Sequence, residues 1–285
     1  MMMENIDVSV IIVNYNTRQL TQNCIDSILL HTKDISYEII LVDNASIDDS
    51  CDFFIKDNRI IFISSPTNLG FGKANNLGYE YSKGDYVFFL NSDTIIKNNA
   101  IKIFYDQMMV LPADIACLGC ILKDTNSNFS GSYGNFPVWY DEFFNRHKKQ
   151  LLQAKIKKFP FIVEYVSGAD MFIRRSVIEL HGLFDADFFL YFEETELQRR
   201  YFKNGYKSVI IDGPDICHLE GGSSNDTAWK AITFTQSFFV YMKKDLSKNK
   251  YYIFRSIMFF KRFICLWNKP WRWNEKKIYM KVLIS

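Results

Sequence analysis

Cysteine is sparse and scattered in this 285-residue chain: six residues, at positions 24, 51, 117, 120, 217 and 265, in no framework of pairs. Disulfide stapling is therefore not expected, and a reducing compartment is. Cys117 and Cys120 form a lone CxxC inside an apolar run, without the second pair that a structural zinc site needs. The amino-terminal residues carry no basic run, and Asp7 and Asn14 interrupt their apolar stretch, so no secretory leader is expected and the protein is read as cytoplasmic. The apolar segment from Tyr251 to Trp267 is broken by Arg255, Lys261 and Arg262, which argues against a membrane-spanning helix. No GxGxxG follows the first strand-like run, and no GxxxxGK[ST] occurs. These absences exclude a dinucleotide-binding Rossmann domain and a P-loop.

With 48% hydrophobic and 23% charged residues, the chain can bury a full core, and its length fits one large α/β domain with an appendage. Net charge is only +2, but it is segregated. Residues 228–285 hold 13 Lys or Arg against 2 Asp or Glu, a surplus of +11, which leaves −9 on the preceding 227 residues. An acidic body opposes nucleic-acid binding, and no nucleic-acid partner is expected.

The stretch DYVFFLNSDT, residues 85–94, organises the rest. Tyr86 to Leu90 is an uncharged apolar run of strand length, and it ends abruptly in Asn91-Ser92-Asp93. Ligands of open α/β sheets gather beyond the carboxyl ends of the strands, so Asp93 is the first candidate site residue. These three polar residues also suit a simple turn and helix cap. Val8–Asn14, Tyr37–Val42 and 59–63 read as further strands, each ending in polar residues and separated by helical stretches. Thr17 or Asn16 is placed to cap the first helix. Tyr15, Asp43 and Asp93 should then collect along one sheet edge, with Asp43 placed to accept hydrogen bonds from a ribose or base. The segment from Asn68 to Gly78 clusters Gly70 and Gly72 with Asn68, Asn75 and Asn76, combining close backbone approach with amide donors and acceptors.

Downstream, residues 94–110 fit one imperfect helix and 116–122 a strand. Residues 123–158 read as a breaker-rich, acceptor-facing insertion. In the strand-like EYVSGADMFIRR, the small pair Gly168-Ala169 permits close approach of a ligand or marks a bulge. FFLYFEETELQRRYFKNG then places Glu193, Glu194 and Glu196 at the start of a helix that Gly205 ends. The macrodipole alone favours acids there, yet such a carboxylate among apolar walls can also serve as a base. Arg200 suits a diphosphate contact or an i,i+4 pair with Glu196. His218, one of four histidines, follows the predicted strand 208–212.

The motifs IVNYN, ILVDNAS, NLGFGKANNLG and FLNSD, in this order and spacing, resemble the nucleotide-sugar-binding half of a family 2 glycosyltransferase of the rhamnosyltransferase-like kind. The resemblance covers about the first 225 residues. It implies a GT-A fold, in which a mostly parallel nucleotide-binding α/β sheet is flanked by helices. It also implies an inverting transfer from a dTDP-, UDP- or GDP-linked sugar, and a divalent cation, Mg²⁺ or Mn²⁺. The domain is then 1–227, divided near residue 115 into donor and acceptor halves, and 228–285 forms a helical, basic, aromatic extension. The resemblance assigns nucleotide recognition to Asp43, the metal to Asp93 and donor-sugar proximity to Gly168 and Ala169. It makes Glu194 the general base, with Glu193 the alternative. The metal-associated DxD motif reads Asn91-Ser92-Asp93 here, so its first carboxylate is missing, and His218 is the residue placed to supply another ligand. Gly221-Gly222-Ser223-Ser224 reads as a flap over the diphosphate. The expected acceptor is a saccharide, lipid-linked, in surface polysaccharide synthesis; the extension either lies on an anionic membrane surface or packs as a helical pair on the catalytic domain. Two other readings stay open: a sugar-1-phosphate nucleotidyltransferase, and a non-catalytic nucleotide-sugar-binding protein of the same fold.

Overall fold

A computed structural model of the protein describes residues 6–139, 158–219 and 227–268. Its centre is an eight-stranded sheet in the order β3-β2-β1-β4-β10-β6-β11-β8. β1 (Val8–Asn14), β2 (Tyr37–Asp43), β3 (Ile61–Ser64) and β4 (Tyr86–Leu90) run parallel to one another, as do β6 (Ile115–Gly119) and β11 (Lys207–Ile210). β10 (Asp170–Arg174) lies antiparallel between β4 and β6, and β8 (Phe161–Val163) closes the edge. The near-continuous apolar strands follow from cover on both faces. Val8, Val10 and Ile12 face the layer of α1 (Arg18–His31) and α4 (Ala100–Val110), with Cys24, Ile28, Phe104 and Met108. Ile11, Phe89 and Ile173 face the other layer, where Phe184, Leu197 and Tyr201 pack. That second layer is built by α3 (Phe71–Glu80), α5 (Arg175–His181) and α6 (Glu193–Lys203), while the short α2 (Ser50–Phe54) precedes β3.

The strand ends place the polar turns together, and three local readings need correction. Residues 94–110 are not one helix. β-branched Thr94–Ile96 forms β5, paired antiparallel with β12 (Ile216–His218), and α4 begins only at Ala100. The strand of 164–175 is broken into β9 (Tyr165–Val166) and β10, with Ser167–Ala169 between them. Thr17 precedes α1 without a side-chain capping bond, because its hydroxyl donates to Asn14 Oδ1 at 2.9 Å instead.

The extension forms α7 (Thr227–Asp245) and α8 (Lys248–Asn268). They pack on the sheet domain through Phe238, Tyr241, Met242, Phe254 and Phe188. Asp245 receives Arg199 at 3.0 Å and Lys203 at 2.7 Å, and Lys244 bridges Asp185 and Asp187 at 2.7 Å each. None of the helices among the described residues is long and apolar enough to cross a membrane.

Candidate active site

A cavity of about 600 Å³ opens at the carboxyl ends of β1 and β4. Tyr15, Asn68, Gly70, Asn91 and Asp93 all line it, so one edge gathers five of the residues singled out above. Ser92 of the same motif and Thr17, expected only as a cap, join the wall, while Asn44, Phe71, Phe189 and Trp229 were not foreseen. Trp229 comes from the first turn of α7, in a segment whose only sequence signal is aromatic and basic bulk.

Asp43 sits behind this wall. It is 1% exposed; Oδ1 accepts from Asn14 Nδ2 at 2.7 Å and Oδ2 from the Ser46 N–H at 3.1 Å. Asn14 in turn accepts from Thr17 and Thr21, so this buried network fixes the turns after β1 and β2. Asn44, immediately after it, reaches the wall and clips the glycine segment. Its amide donates to Asn68 Oδ1 at 3.0 Å and the Gly70 carbonyl at 3.2 Å, while its oxygen accepts from the Leu69 N–H at 2.8 Å.

The glycines serve the protein's own packing. Gly70 has φ +80°, and a Cβ built there would lie 2.1 Å from the Phe189 carbonyl oxygen, which accepts from the Phe71 N–H at 2.9 Å. Only glycine lets that loop close. Asn75 and Asn76 do not reach the cavity wall. The buried Asn75 amide donates to the Phe71 carbonyl at 3.0 Å, and Asn76 exchanges hydrogen bonds with the Phe184 backbone at 2.7 and 3.2 Å. Arg200 is likewise committed elsewhere. It holds Glu196 bidentately at 3.1 and 3.0 Å and donates to the carbonyls of His181, Gly182 and Leu183, which fixes the α5–α6 connection rather than a diphosphate.

The β5–β12 ladder brings the two expected metal ligands side by side. Thr94 registers with His218, and the Leu219 N–H donates to the Asp93 carbonyl at 2.9 Å. His218 Nε2 consequently lies 3.2 Å from Asp93 Oδ1, with both side chains only about 15% exposed: 14% and 15%. Ser130 Oγ lies 3.5 Å from the other ring nitrogen, Nδ1. A carboxylate oxygen and an imidazole nitrogen about 3 Å apart span one edge of an octahedral shell with bonds of about 2.1 Å, so the pair fits a shared Mg²⁺ or Mn²⁺. No third His, Cys, Asp or Glu joins them among the described residues, so other positions would fall to phosphate and water. Glu220 and the 221–224 flap lie outside the described residues.

The carboxylates at the head of α6 differ in setting. Tyr191 and Phe192 both adopt left-handed backbone, φ +71° and +68°, a strain of about 1–3 kcal/mol each for non-glycine residues. α7 holds the turn: Ser237 Oγ donates to the Leu190 carbonyl at 2.7 Å, and Phe234 and Phe238 pack tilted against Phe192 with ring centroids 4.8 and 5.6 Å away. Glu193 is buried against the α3 segment at Gly72, and its Oε2 has no hydrogen-bond partner among the described residues. Desolvation, then the neighbouring Glu194, raises its pKa well above the carboxylate range. Glu194 keeps partial exposure, and desolvation raises its pKa as well, against backbone and Thr195 hydrogen bonds that lower it. It stands beside Gly168: a Cβ built on that glycine would lie 3.7 Å from Glu194 Cβ and 3.4 Å from the Phe71 ring, which itself lines the cavity. Ala169 accepts from the Asn91 N–H at 3.1 Å, which ties this strand break to the end of β4.

Residues 9–182 match the model of "Glycosyl transferase family 2". Glycosyltransferase GlyG of Streptococcus pneumoniae serotype 4 is 35% identical over 133 residues, 45% of this chain and 42% of that protein. The dTDP-rhamnosyl transferase RfbF of Shigella flexneri is 24% identical over 238 residues, 77% of this chain and 71% of RfbF. The Escherichia coli enzyme WfaP, a UDP-Glc:α-D-GlcNAc-diphosphoundecaprenol β-1,3-glucosyltransferase, is 40% identical over 89 residues, 30% of this chain and 35% of WfaP. The chain thus spans less than half the length of GlyG. A mannosyltransferase from Pyrobaculum calidifontis, solved with GDP-Man and Mn²⁺, superimposes with a TM-score of 0.58 at 16% identity, over 84% of this chain and 63% of that one. The mostly parallel sheet, its flanking helices and the matched segment have one conclusion: this chain belongs to glycosyl transferase family 2 and has the GT-A fold.

Proposed function

We propose that the protein transfers a sugar, with inversion, from a nucleotide sugar to a hydroxyl of a lipid-linked saccharide during surface polysaccharide synthesis. The observation that carries this reading is the approach of Asp93 Oδ1 to His218 Nε2, 3.2 Å, at the rim of a cavity walled by Tyr15, Asn68 and Gly70. Tyr15, Asn44 and Asn68 receive the nucleoside, with Asp43 fixing the turns that carry them. Asp93 and His218 hold the divalent cation, which when bound neutralises charge on the leaving diphosphate. Glu194 accepts the proton of the acceptor hydroxyl. The hydroxyl oxygen bonds to the anomeric carbon as the bond to the diphosphate oxygen breaks on the opposite face, which inverts the centre. Desolvation raises the Glu194 pKa above the usual carboxylate range, so activity climbs with pH on the acid side. The buried Glu193, its pKa raised well above the carboxylate range, supports α6. RfbF and WfaP by name leave rhamnose and glucose as the first donors to try, and WfaP's acceptor supports the lipid-linked class.

Thermal shift with dTDP, UDP, GDP and their sugars, with and without Mn²⁺, tests the donor site. A metal-dependent rise with one nucleotide, lost in Asp93→Ala and His218→Ala, is expected. A nucleotide shift indifferent to both metal and these variants would overturn the metal assignment.

A further inference from the structure

A second cavity, of about 680 Å³, lies between α7, α8 and the loop before α6. Its wall includes Lys243 and Lys248, both exposed, with Arg255 seven residues further along α8, and the aromatic Tyr251 and Tyr252. One acid, Asp187, also lines it, and that carboxylate already holds Lys244 at 2.7 Å. The balance of the groove is therefore cationic. Phe189 lines both this groove and the donor cavity, so the two are neighbours across a single side chain.

We propose that this groove seats the diphosphate of a polyprenyl-diphosphate-linked acceptor, with its sugar directed past Phe189 toward the donor cavity. The proposal rests on the glycosyl-transfer reading of the site. Lys and Arg converging from two helices are the groups that recognise phosphate oxygens. The donor's own diphosphate is provided for at Asp93, in the wall of the other cavity, and at His218 beside it, so a second cationic groove calls for a second phosphate-bearing ligand. The lipid part also has a place. Tyr252, Ile253 and Phe260 are 54%, 56% and 62% exposed, and with Ser256 they fall at i, i+1, i+4 and i+8, one stripe along α8. Tyr252 belongs to both the stripe and the groove. Headgroup and hydrocarbon would thus be met on adjoining surfaces of a helix lying at the membrane interface.

Isothermal titration of the full chain with farnesyl diphosphate, in EDTA to silence metal-dependent binding in the donor cavity, reads this directly. Binding is expected, weakened more than about tenfold in Lys248→Glu/Arg255→Glu, while Mn²⁺-nucleotide binding by the same variant stays at the wild-type value. Should that variant fail to fold by circular dichroism, Lys243→Gln/Lys248→Gln, at two exposed positions, replaces it. Unchanged affinity in the folded variant overturns the proposal. So does inorganic pyrophosphate binding as tightly as farnesyl diphosphate, which would make the groove a free-phosphate site. Displacement of farnesyl diphosphate by phosphatidylglycerol vesicles at equal phosphate would overturn it too, by making the groove a general anionic-lipid surface. If wild-type protein binds nucleotide but not farnesyl diphosphate, the groove proposal fails and the donor reading stands. The reverse pattern sinks the donor reading alone.

Discussion

Asp170 shows how one side chain links the sheet to solution conditions. It is fully buried in β10; Oδ2 accepts from the Cys120 N–H at 2.7 Å, while Oδ1 has no partner among the described residues. Desolvation pushes its pKa up to about 8 from a usual 3.8, against the Cys120 hydrogen bonds. A group with a raised folded pKa contributes fully below its unfolded pKa, and the contribution is lost as pH rises through the folded value. Wild-type stability should therefore fall between about pH 4 and about 8. Asp170→Asn, which keeps the acceptor for Cys120, should flatten that fall, as urea denaturation at several pH values would reveal; parallel curves would contradict it. Gly70→Ala makes the opposite kind of test, since Cβ has no room against the Phe189 carbonyl and φ is +80°. A loss of about 2 kcal/mol or more in urea unfolding is expected. Gly70 was legible in the sequence as a close-approach residue, but not its neighbour, because the Phe189 carbonyl arrives from more than a hundred positions away. Asn75 and Asn76 misled for a related reason: an amide that suits a ligand equally suits a backbone, and only the fold shows which it meets.

Among the elements, α7 governs the site more than its sequence suggests. Aromatic and basic residues made it read as part of an extension, yet Ser237, Phe234 and Phe238 hold the strained Tyr191–Phe192 turn that precedes Glu193 and Glu194. Ser237→Ala removes a buried hydrogen bond, with an expected cost of about 1 kcal/mol. Because the turn then relaxes toward unstrained backbone, kcat should drop while nucleotide affinity stays unchanged. A change in affinity without a change in kcat would contradict this role. The four parallel strands of the first half were readable because apolar runs of strand length ended in polar turns. β5 was not, since its three residues carry no period of their own and become a strand only by pairing with β12, some 120 residues later. That pairing is also what joins Asp93 to His218, so their approach could be expected from the family resemblance but not from local sequence.

For the whole molecule, charge is segregated along the chain. The extension's surplus of +11 against −9 on the rest leaves a dipolar chain whose basic end carries the α8 stripe. Binding to phosphatidylglycerol vesicles should accordingly be strong at about 50 mM salt and largely lost near 500 mM, as the Debye length shrinks; salt-independent binding in a flotation assay would contradict an electrostatic anchor. In the proposed transfer, Glu194 is the group that takes the acceptor's proton. Sugar transfer by Glu194→Gln, compared with Glu193→Gln in the same assay, tests that most directly, with Mn²⁺-nucleotide binding measured alongside. Glu194→Gln should bind nucleotide like the wild type and lose about 10²–10⁴-fold in kcat, while Glu193→Gln, which imitates a protonated side chain, keeps most of its activity. Full transfer by Glu194→Gln, or its loss in Glu193→Gln instead, would contradict the assignment.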